Sequence, residues 1–300
     1  MAIKKLNADL VPRIRKLEMF ARQTSLSQYI EGNWTTTTKG QGIEFSGYRA
    51  YTYGDDASMI DWKATLRSKS LLVKEYNTEK SVNVYFLMDV SNSMLFTSTK
   101  KLKAEHAAEL VSGLSYAILR SGDGVGVSMF NDKLVTRLPI NIGSKMHRLI
   151  TNDLGNVNNY GGNFSFENTA RIIMNVINTR AVLVIVSDFI GLSPEWNKSL
   201  RMLSTKFEII GIMIRDPRDR ELPKDTGQFY LEDPFTNEKL YVDTEQYADA
   251  YKKYVEKEEA EIAKYFKTSN ADFIKITTDK DYYTELTKFF KRRAYTHARG

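Results

Sequence analysis

The stretch VNVYFLMDVSNSM, residues 82–94, decides how the rest of this chain is interpreted. Its first seven residues are β-rich and nearly all apolar, which is typical of a central strand that is covered on both faces. Asp89, Ser91 and Ser93 follow on alternate positions, and each carries side-chain oxygen. The stretch therefore predicts a buried strand with a polar site at its carboxyl end.

Strands alternate with helices through the remainder of the chain. After the first strand the pattern predicts a helix at 100–120, a strand at 125–130, a helix at 164–178, a strand at 181–189, a helix at 194–204, a strand at 207–214, a helix at 245–267, a strand at 271–276 and a helix at 279–293. Such alternation predicts an α/β fold with a right-handed, doubly wound, mostly parallel sheet of the Rossmann type.

Two regions lie outside this alternation. Residues 1–80 are predicted to form an N-terminal subdomain with a helix at 7–23 and short strands. Residues 218–243 contain the turn DPFTNEK and predict a hairpin inserted into the main domain, which spans 81–293. Residues 294–300 form a tail.

Composition excludes several classes of protein. The 43 Lys and Arg residues against 37 Asp and Glu give a net charge of +6, which is too balanced to indicate a nucleic-acid partner. Cysteine is absent, so disulfides, zinc–thiolate sites and thiol catalysis are excluded. The longest apolar runs, at 181–186 and 209–214, are far shorter than the roughly 20 residues of a membrane-spanning helix. We therefore expect a cytoplasmic protein without a membrane span.

Two acidic residues are expected to meet at one edge of the sheet. Asp89 and Asp188 each follow an apolar strand, and ligands of doubly wound sheets collect outside the carboxyl ends of the strands. With the hydroxyls of Ser91 and Ser93, they form a set of hard oxygen donors that suits Mg²⁺, or Mn²⁺ or Ca²⁺. In the alternative interpretation, the two serines only cap the following helix.

Two segments resemble a known family. DVSNSM (89–94) has the Asp-x-Ser-x-Ser form of the metal-ion-dependent adhesion site in von Willebrand factor A domains. The longer segment GIEFSGYRAYTYGDDASMIDWKATLRSKSLLVKEYNTEKSVNVYFLMDVSNSM (42–94) resembles the signature of domain-of-unknown-function family fifty-eight, found in bacteria and archaea. That family couples such a segment to a von Willebrand A-like domain. The resemblance extends to ELP (221–223) and the predicted hairpin.

The resemblance implies a set of metal ligands. Asp89, Ser91 and Ser93 correspond to the first-loop ligands and Asp188 to the later acidic ligand. The middle loop of the family usually supplies a threonine after two glycines, and Asn163 stands at that place in YGGNFSFENTA (160–170). Ser165, in the same loop, is the other candidate.

The resemblance also implies a function. A cation held by few carboxylates and several neutral ligands keeps a coordination position open, so it accepts an acidic side chain from a protein partner. Members of the family are often encoded beside MoxR-type AAA+ ATPases. The expected function is therefore a non-enzymatic, metal-dependent protein-interaction module that works with such an ATPase in a chaperone-like or assembly role.

The rival function is a metal-dependent phosphoester hydrolase that uses Asp89, Asp188 and either Asp55 or Asp56. Aspartyl-phosphate chemistry requires a second aspartate two residues after the nucleophile as general acid. Ser91 occupies that position and cannot donate a proton at neutral pH. The sequence therefore favours binding over catalysis.

A second group of carboxylates lies in GDDASMIDW (54–62). Asp55, Asp56 and Asp61 form either an acid/base cluster or second cation site, or a turn with helix capping and charges paired to Arg49 and Arg67. We favour the structural interpretation.

The end of the chain, KFFKRRAYTHARG (288–300), is basic and aromatic. We favour a helix that packs Phe289 and Phe290, with a weak nucleic-acid contact as the alternative.

Overall fold

The structure of the protein is a computed structural model that describes residues 44–68, 70–77, 82–223 and 227–297. The described residues fall into two compact units, a smaller one that ends at Asn77 and a larger one that begins at Val82. The helix predicted at 7–23 lies outside the described residues.

The smaller unit is built on two antiparallel strands. β1 (Glu44–Ala50) pairs with β2 (Leu72–Asn77), and helix α1 (Trp62–Ser68) lies between them in the chain. Asp61, the residue before α1, accepts hydrogen bonds from the amides of Lys63 (2.9 Å) and Ala64 (3.1 Å). Such side-chain acceptors cap a helix because its first amides have no partner within the helix.

The larger unit contains eight strands and seven helices among its described residues. In chain order they are β3 (Asn83–Asp89), α2 (Lys103–Arg120), β4 (Gly124–Phe130), β5 (Leu134–Asn141), α3 (Ser144–Gly155), α4 (Phe166–Val176), β6 (Val182–Ser187), α5 (Trp196–Ser204), β7 (Glu208–Arg215), α6 (Pro217–Arg220), β8 (Gln228–Glu232), β9 (Lys239–Asp243), α7 (Thr244–Thr268), β10 (Asp272–Thr277) and α8 (Tyr282–His297).

Six of these strands form one sheet in the order β10-β7-β6-β3-β4-β5. All neighbouring pairs are parallel except β4 with β5, which is antiparallel. β3, the first of these strands in the chain, lies in the middle of the sheet; β4 and β5 follow on one side of it, and β6, β7 and β10 on the other. The loops after β3 and β6 therefore lead to opposite sides and leave a crevice between them, which is the topological switch point.

Helices cover both faces of the sheet. On one face α2, α3 and α8 pack against side chains such as Val84, Phe86 and Met88 of β3. On the other face α4, α5 and α7 pack against Tyr85 and Leu87 of the same strand. Alternate residues of β3 thus enter two separate apolar cores, which explains why its sequence is apolar throughout.

The predicted fold class is confirmed: the sheet is mostly parallel, with helices on both faces and a β8–β9 hairpin. The hairpin turn is closed by the amide of Asp233, which donates to the carbonyl of Glu238 (2.9 Å). Sequence reasoning missed β5. β5 is an edge strand whose residues are only half buried and include Pro139, so it lacks a continuous apolar pattern.

We predict that Gly211→Val destabilises the protein by about 2 kcal/mol, because overpacking a filled core forces its neighbours to shift. Gly211 lies in β7 opposite Phe273 of β10. A Cβ atom at Gly211 would lie 2.5 Å from Phe266 Cζ and 2.9 Å from Phe273 Cδ2. Urea denaturation followed by circular dichroism measures the change. Gly155→Ala is the matched control, since a Cβ atom there meets nothing within 4 Å; equal stability of both variants would contradict the prediction.

Candidate metal centre

Three neighbouring strands lead into acidic residues at the same edge of the sheet. β3 ends at Asp89, while Asp188 follows β6 and Asp216 follows β7. Because these strands are parallel neighbours, their carboxyl ends lie side by side. All three aspartates have a relative exposure of 0%. The loops therefore bring carboxylates together in a buried place, which is costly unless each is compensated.

Four of the predicted ligands form one hydrogen-bonded group. The amide of Ser91 donates to Asp89 Oδ1 (2.8 Å), and Ser187 Oγ donates to Asp89 Oδ2 (2.6 Å). Ser93 Oγ donates to Asp188 Oδ1 (3.1 Å) and lies 3.2 Å from Ser91 Oγ. Two carboxylates and two hydroxyls thus converge although 95 residues separate Ser93 from Asp188.

The fifth predicted ligand is placed differently. The side chain of Asn163 is exposed, and no hydrogen bond joins it to the other four among the residues that the structure describes. Its loop nevertheless lies against the first loop, because Gly161 N donates to Val90 O (2.7 Å) and Gly162 N donates to Asn92 Oδ1 (2.9 Å). The alternative candidate in this loop, Ser165, caps α4 instead.

The backbone after Asp188 adopts an unusual conformation. Phe189 has a φ of 54°, a left-handed value that is rare for a bulky side chain. Its ring is fully buried and packs edge-on against Phe266, with 5.6 Å between the ring centroids. Packing thus holds a strained corner directly beside an acidic residue, and such strain is concentrated at binding and catalytic sites.

Electrostatics also mark the site. Burial, together with the charge of Asp188, raises the pKa of Asp89 to about 7. Two carboxylates that share a dry environment repel each other, so a proton or a cation must neutralise part of the charge. Asp89 therefore exchanges its proton near neutral pH, where a metal ion competes with that proton.

A buried lysine completes the group. Lys103, the first residue of α2, places Nζ 2.7 Å from Asp188 Oδ2 and 2.7 Å from Asp219 Oδ2. Burial acts to lower the pKa of Lys103, but the two carboxylates outweigh burial and raise it, so the ammonium stays charged. Sequence reasoning missed Lys103 and Asp219. The available signal was a lysine in the first turn of a helix, where the helix dipole disfavours positive charge.

The residues fit a divalent cation in donor type and in charge. The hydroxyls and carboxylates are hard oxygen donors of the kind that Mg²⁺ and Mn²⁺ take. Asp89, Asp188 and Asp219 with Lys103 carry a net charge of −2 when all four are ionised, which one divalent ion balances. The carboxylate of Asp216 is not counted, because it accepts hydrogen bonds from the amide of Ser98 and the hydroxyl of Thr278 instead. In the described part of the chain, no cluster of three or more His, Cys, Asp or Glu side chains could hold a metal ion. A cation here would therefore need the serine hydroxyls and water.

The carboxylates of the smaller unit have structural partners. Arg49 forms a bidentate pair with Asp55 (2.5 and 2.7 Å), and this pair holds the pKa of Asp55 well below its usual range. Asp56 caps the short helical turn that follows it. Asp61 caps α1 and pairs with Lys74 at 3.3 Å. These contacts match the capping and the Arg49 pairing of the structural interpretation, but Lys74, rather than the predicted Arg67, is the second basic partner.

Comparison with known proteins identifies relatives of the chain. The family model described as "Protein of unknown function DUF58" matches residues 47–261. The uncharacterized protein Rv1480 of Mycobacterium tuberculosis is 23% identical over 288 residues, which cover 95% of this chain and 90% of that protein. The family predicted from the sequence is therefore confirmed, while the adhesion-type metal site stays a prediction.

Solved structures of low sequence identity are also similar. An aerotolerance-related membrane protein from Bacteroides fragilis is 16% identical, with a TM-score of 0.48, and the match covers 72% of this chain and all of that chain. A von Willebrand factor type A protein from Catenulispora acidiphila is 11% identical, with a TM-score of 0.36, and the match covers 74% of this chain and 43% of the other.

The expected cytoplasmic location is wrong on this comparison, because the Bacteroides fragilis chain is described as a membrane protein. Composition and apolar run length, from which the location was inferred, carry no direct information about compartment. Within residues 44–68, 70–77, 82–223 and 227–297, no helix is both long and apolar enough to cross a membrane.

We predict that Asp89→Asn removes a pH-dependent part of the stability. The folded pKa of Asp89 is about 7 and its ordinary value is 3.8, so between these values the native state holds a proton that the unfolded chain releases. This group therefore lowers the free energy of unfolding as pH rises towards 7, by about 1.4 kcal/mol per pH unit. The asparagine amide of the variant does not titrate in this range.

Urea denaturation of chelator-treated protein at pH 5, 6, 7 and 8 measures the difference between wild type and Asp89→Asn. Asp132→Asn, a change of an exposed aspartate, is the control and should keep the wild-type slope. The same slope in wild type and Asp89→Asn would contradict the predicted titration.

Proposed function

The chain belongs to the family of proteins of unknown function DUF58, and from this membership and its buried carboxylates we propose a non-enzymatic protein-interaction module that depends on a divalent cation. The observation that carries the proposal is the convergence of Asp89, Ser91, Ser93 and Asp188 at the carboxyl edge of the sheet. Sites at this edge and at a switch point are where doubly wound sheets bind their ligands.

The residues of the first loop would hold the cation. Ser91 and Ser93 supply hydroxyl oxygens, and Asp188 supplies the acidic oxygen that already faces Ser93. Asp89 is held in place by the amide of Ser91 and the hydroxyl of Ser187, so its role is to fix the loop and to add charge. When bound, the cation supplies an electrophilic centre for an acidic side chain of the partner.

The β8–β9 hairpin stands beside this site. Asn92, between the two serines, donates through Nδ2 to the carbonyl of Pro234 (3.0 Å). The ring of Phe235 packs so closely on Gly191 that a Cβ atom there would lie 2.8 Å from Phe235 Cε2. The hairpin turn therefore contacts both loops that carry the proposed ligands, and a partner at the cation would also contact the hairpin.

The hairpin presents aromatic side chains to solvent. Tyr230, Leu240 and Tyr241 are 67%, 66% and 53% exposed, and the two tyrosine rings pack with centroids 5.3 Å apart. Exposed aromatic groups of this kind are enriched where proteins bind one another. The surface supports a protein partner rather than a small molecule.

A hydrolase is less well supported. Asp89 would be the nucleophile, and this chemistry requires a general acid two residues later. Ser91 stands where a general acid is required. We therefore propose binding without catalysis, with a MoxR-type AAA+ ATPase as the partner that supplies the acidic group, in a chaperone-like or assembly role.

We predict that wild-type protein binds Mn²⁺ and Mg²⁺ at one site and that Ser93→Ala weakens this binding at least about tenfold, because one ligand is lost. Isothermal titration measures the affinity. Ser115→Ala is the matched control, since the Ser115 hydroxyl is buried in α2 and has no hydrogen-bond partner among the described residues. Equal affinity of wild type and Ser93→Ala, or no binding by wild type, would contradict the proposed ligands.

The partner is tested with the MoxR-type ATPase of the same organism. Biolayer interferometry should show binding in Mg²⁺ that is lost in EDTA and in Asp188→Asn. The double variant Tyr230→Ser/Tyr241→Ser should bind the ATPase more weakly but keep the wild-type affinity for Mn²⁺, because these rings do not contact the cation ligands. Binding that survives both EDTA and Asp188→Asn would exclude a metal-dependent interaction.

A further inference from the structure

Lys103 is a buried charge with two anionic partners. Its side chain is 1% exposed, and its ammonium nitrogen lies at the same distance, 2.7 Å, from carboxylate oxygens of Asp188 and Asp219. The ammonium lies over the face of the Phe96 ring, with 5.7 Å between Nζ and the ring centroid. Within the described residues, the ammonium therefore contacts Asp188, Asp219 and the ring of Phe96.

The two carboxylates are themselves held in place. Asp219 Oδ2 also accepts a hydrogen bond from the amide of Asp216 (2.8 Å), and the carbonyl of Asp219 accepts one from Tyr251 Oη (3.1 Å). Asp188 Oδ1 accepts from the amide of Ile190 (3.0 Å). Asp219 thus fixes the position of the ammonium, and the ammonium fixes one oxygen of Asp188.

Lys103 contacts one of the two oxygens of the Asp188 carboxylate. Oδ2 is committed to the ammonium, while Oδ1 faces Ser93 and the hydroxyl group of the proposed cation site. A carboxylate with one oxygen occupied in this way offers one oxygen to a metal ion. The ammonium of Lys103 therefore contacts one oxygen of Asp188, while Ser93 and the amide of Ile190 hold the other.

The charge of Lys103 has a separate consequence. Without the ammonium, Asp89, Asp188 and Asp219 would contribute three negative charges near a divalent ion, and the loaded site would keep a net charge of −1. With the ammonium, the loaded site is neutral. Since opposite charges attract and like charges repel at short range, the ammonium weakens cation binding and makes the loaded cation more attractive to another carboxylate.

We propose that the positive charge of Lys103 sets the affinity of the cation site and keeps the bound cation receptive to an acidic group of the partner. This inference rests on the proposed function and deepens it. The negative charge of Asp219 offsets the ammonium, so Asp219 strengthens cation binding whereas Lys103 weakens it. Neither residue is needed as a metal ligand for this role.

A purely structural role is the alternative, in which Lys103 ties the start of α2 to α6. That role predicts that losing either partner harms the site, and that losing both harms it at least as much. A charge-setting role predicts opposite effects of the two single changes and their cancellation in the double change. The two interpretations therefore separate in the affinity for Mn²⁺.

The experiment is isothermal titration of MnCl₂ into four variants of the full chain, each checked for folding by circular dichroism and thermal melting. Lys103→Met should bind Mn²⁺ about tenfold or more tightly than wild type, and Asp219→Asn about tenfold or more weakly. The double variant Lys103→Met/Asp219→Asn restores the net charge and should return close to wild type. Lys101→Met is the control, because Lys101 pairs with Glu109, whereas the ammonium bound to Asp188 is that of Lys103.

Unchanged or weaker binding by folded Lys103→Met overturns the inference and leaves the proposed function standing. Should Lys103→Met not fold, Asp219→Asn and the double variant decide, and equal affinity of Asp219→Asn and wild type overturns it. Failure of wild type to bind Mn²⁺ overturns the proposed function instead. If wild type does not bind Mn²⁺ but Lys103→Met does, the charge of Lys103 decides whether the cation binds. If no variant binds Mn²⁺, both the proposed function and this inference are overturned.

Discussion

Two buried carboxylates at one edge of a sheet impose the constraint on which the rest of this site depends. Asp89 and Asp188 are fully buried. The carboxylate of each helps to fix its own loop, because it accepts a hydrogen bond from the amide two residues later. Charge that is removed from water must be compensated nearby by hydrogen bonds, by a proton or by a cation. Three features compensate this buried charge in part: the serine hydroxyls donate hydrogen bonds, the raised pKa of Asp89 favours a bound proton, and the ammonium of Lys103 pairs with Asp188.

Much of the fold follows from the sequence because its strands are covered on both faces. β3, β6 and β7 are nearly uniform apolar runs, and a run of that kind has few alternatives to a central strand. β5 is different, since it lies at the edge, pairs antiparallel and contains Pro139. Its residues are half exposed, so their pattern resembles that of a loop. Position in the sheet, rather than length, decides which strands a sequence reveals.

The sequence predicts those residues of the candidate site that directly follow a strand. Asp89 and Asp188 each follow an apolar run, and topology alone brings such positions together. Lys103 and Asp219 were not predictable in this way, because 116 residues separate them and a lysine in a charged segment is usually exposed. Asn163 was placed by analogy with the middle loop of a family, and the backbone of that loop approaches the site while its side chain is exposed.

The arrangement of the loops favours recognition over chemistry. Asn92 accepts from the amide of Gly162 through Oδ1 and donates to the carbonyl of Pro234 through Nδ2, so one side chain links three loops around the site. Gly162 has a φ of 96°, and a Cβ atom there would lie 2.6 Å from Asn131 Nδ2, so only glycine fits where the middle loop approaches Asn131. Loops fixed in this way spend little conformational entropy when a partner binds. Loops linked by hydrogen bonds and exposed aromatic rings on the neighbouring hairpin together favour a surface that binds a protein.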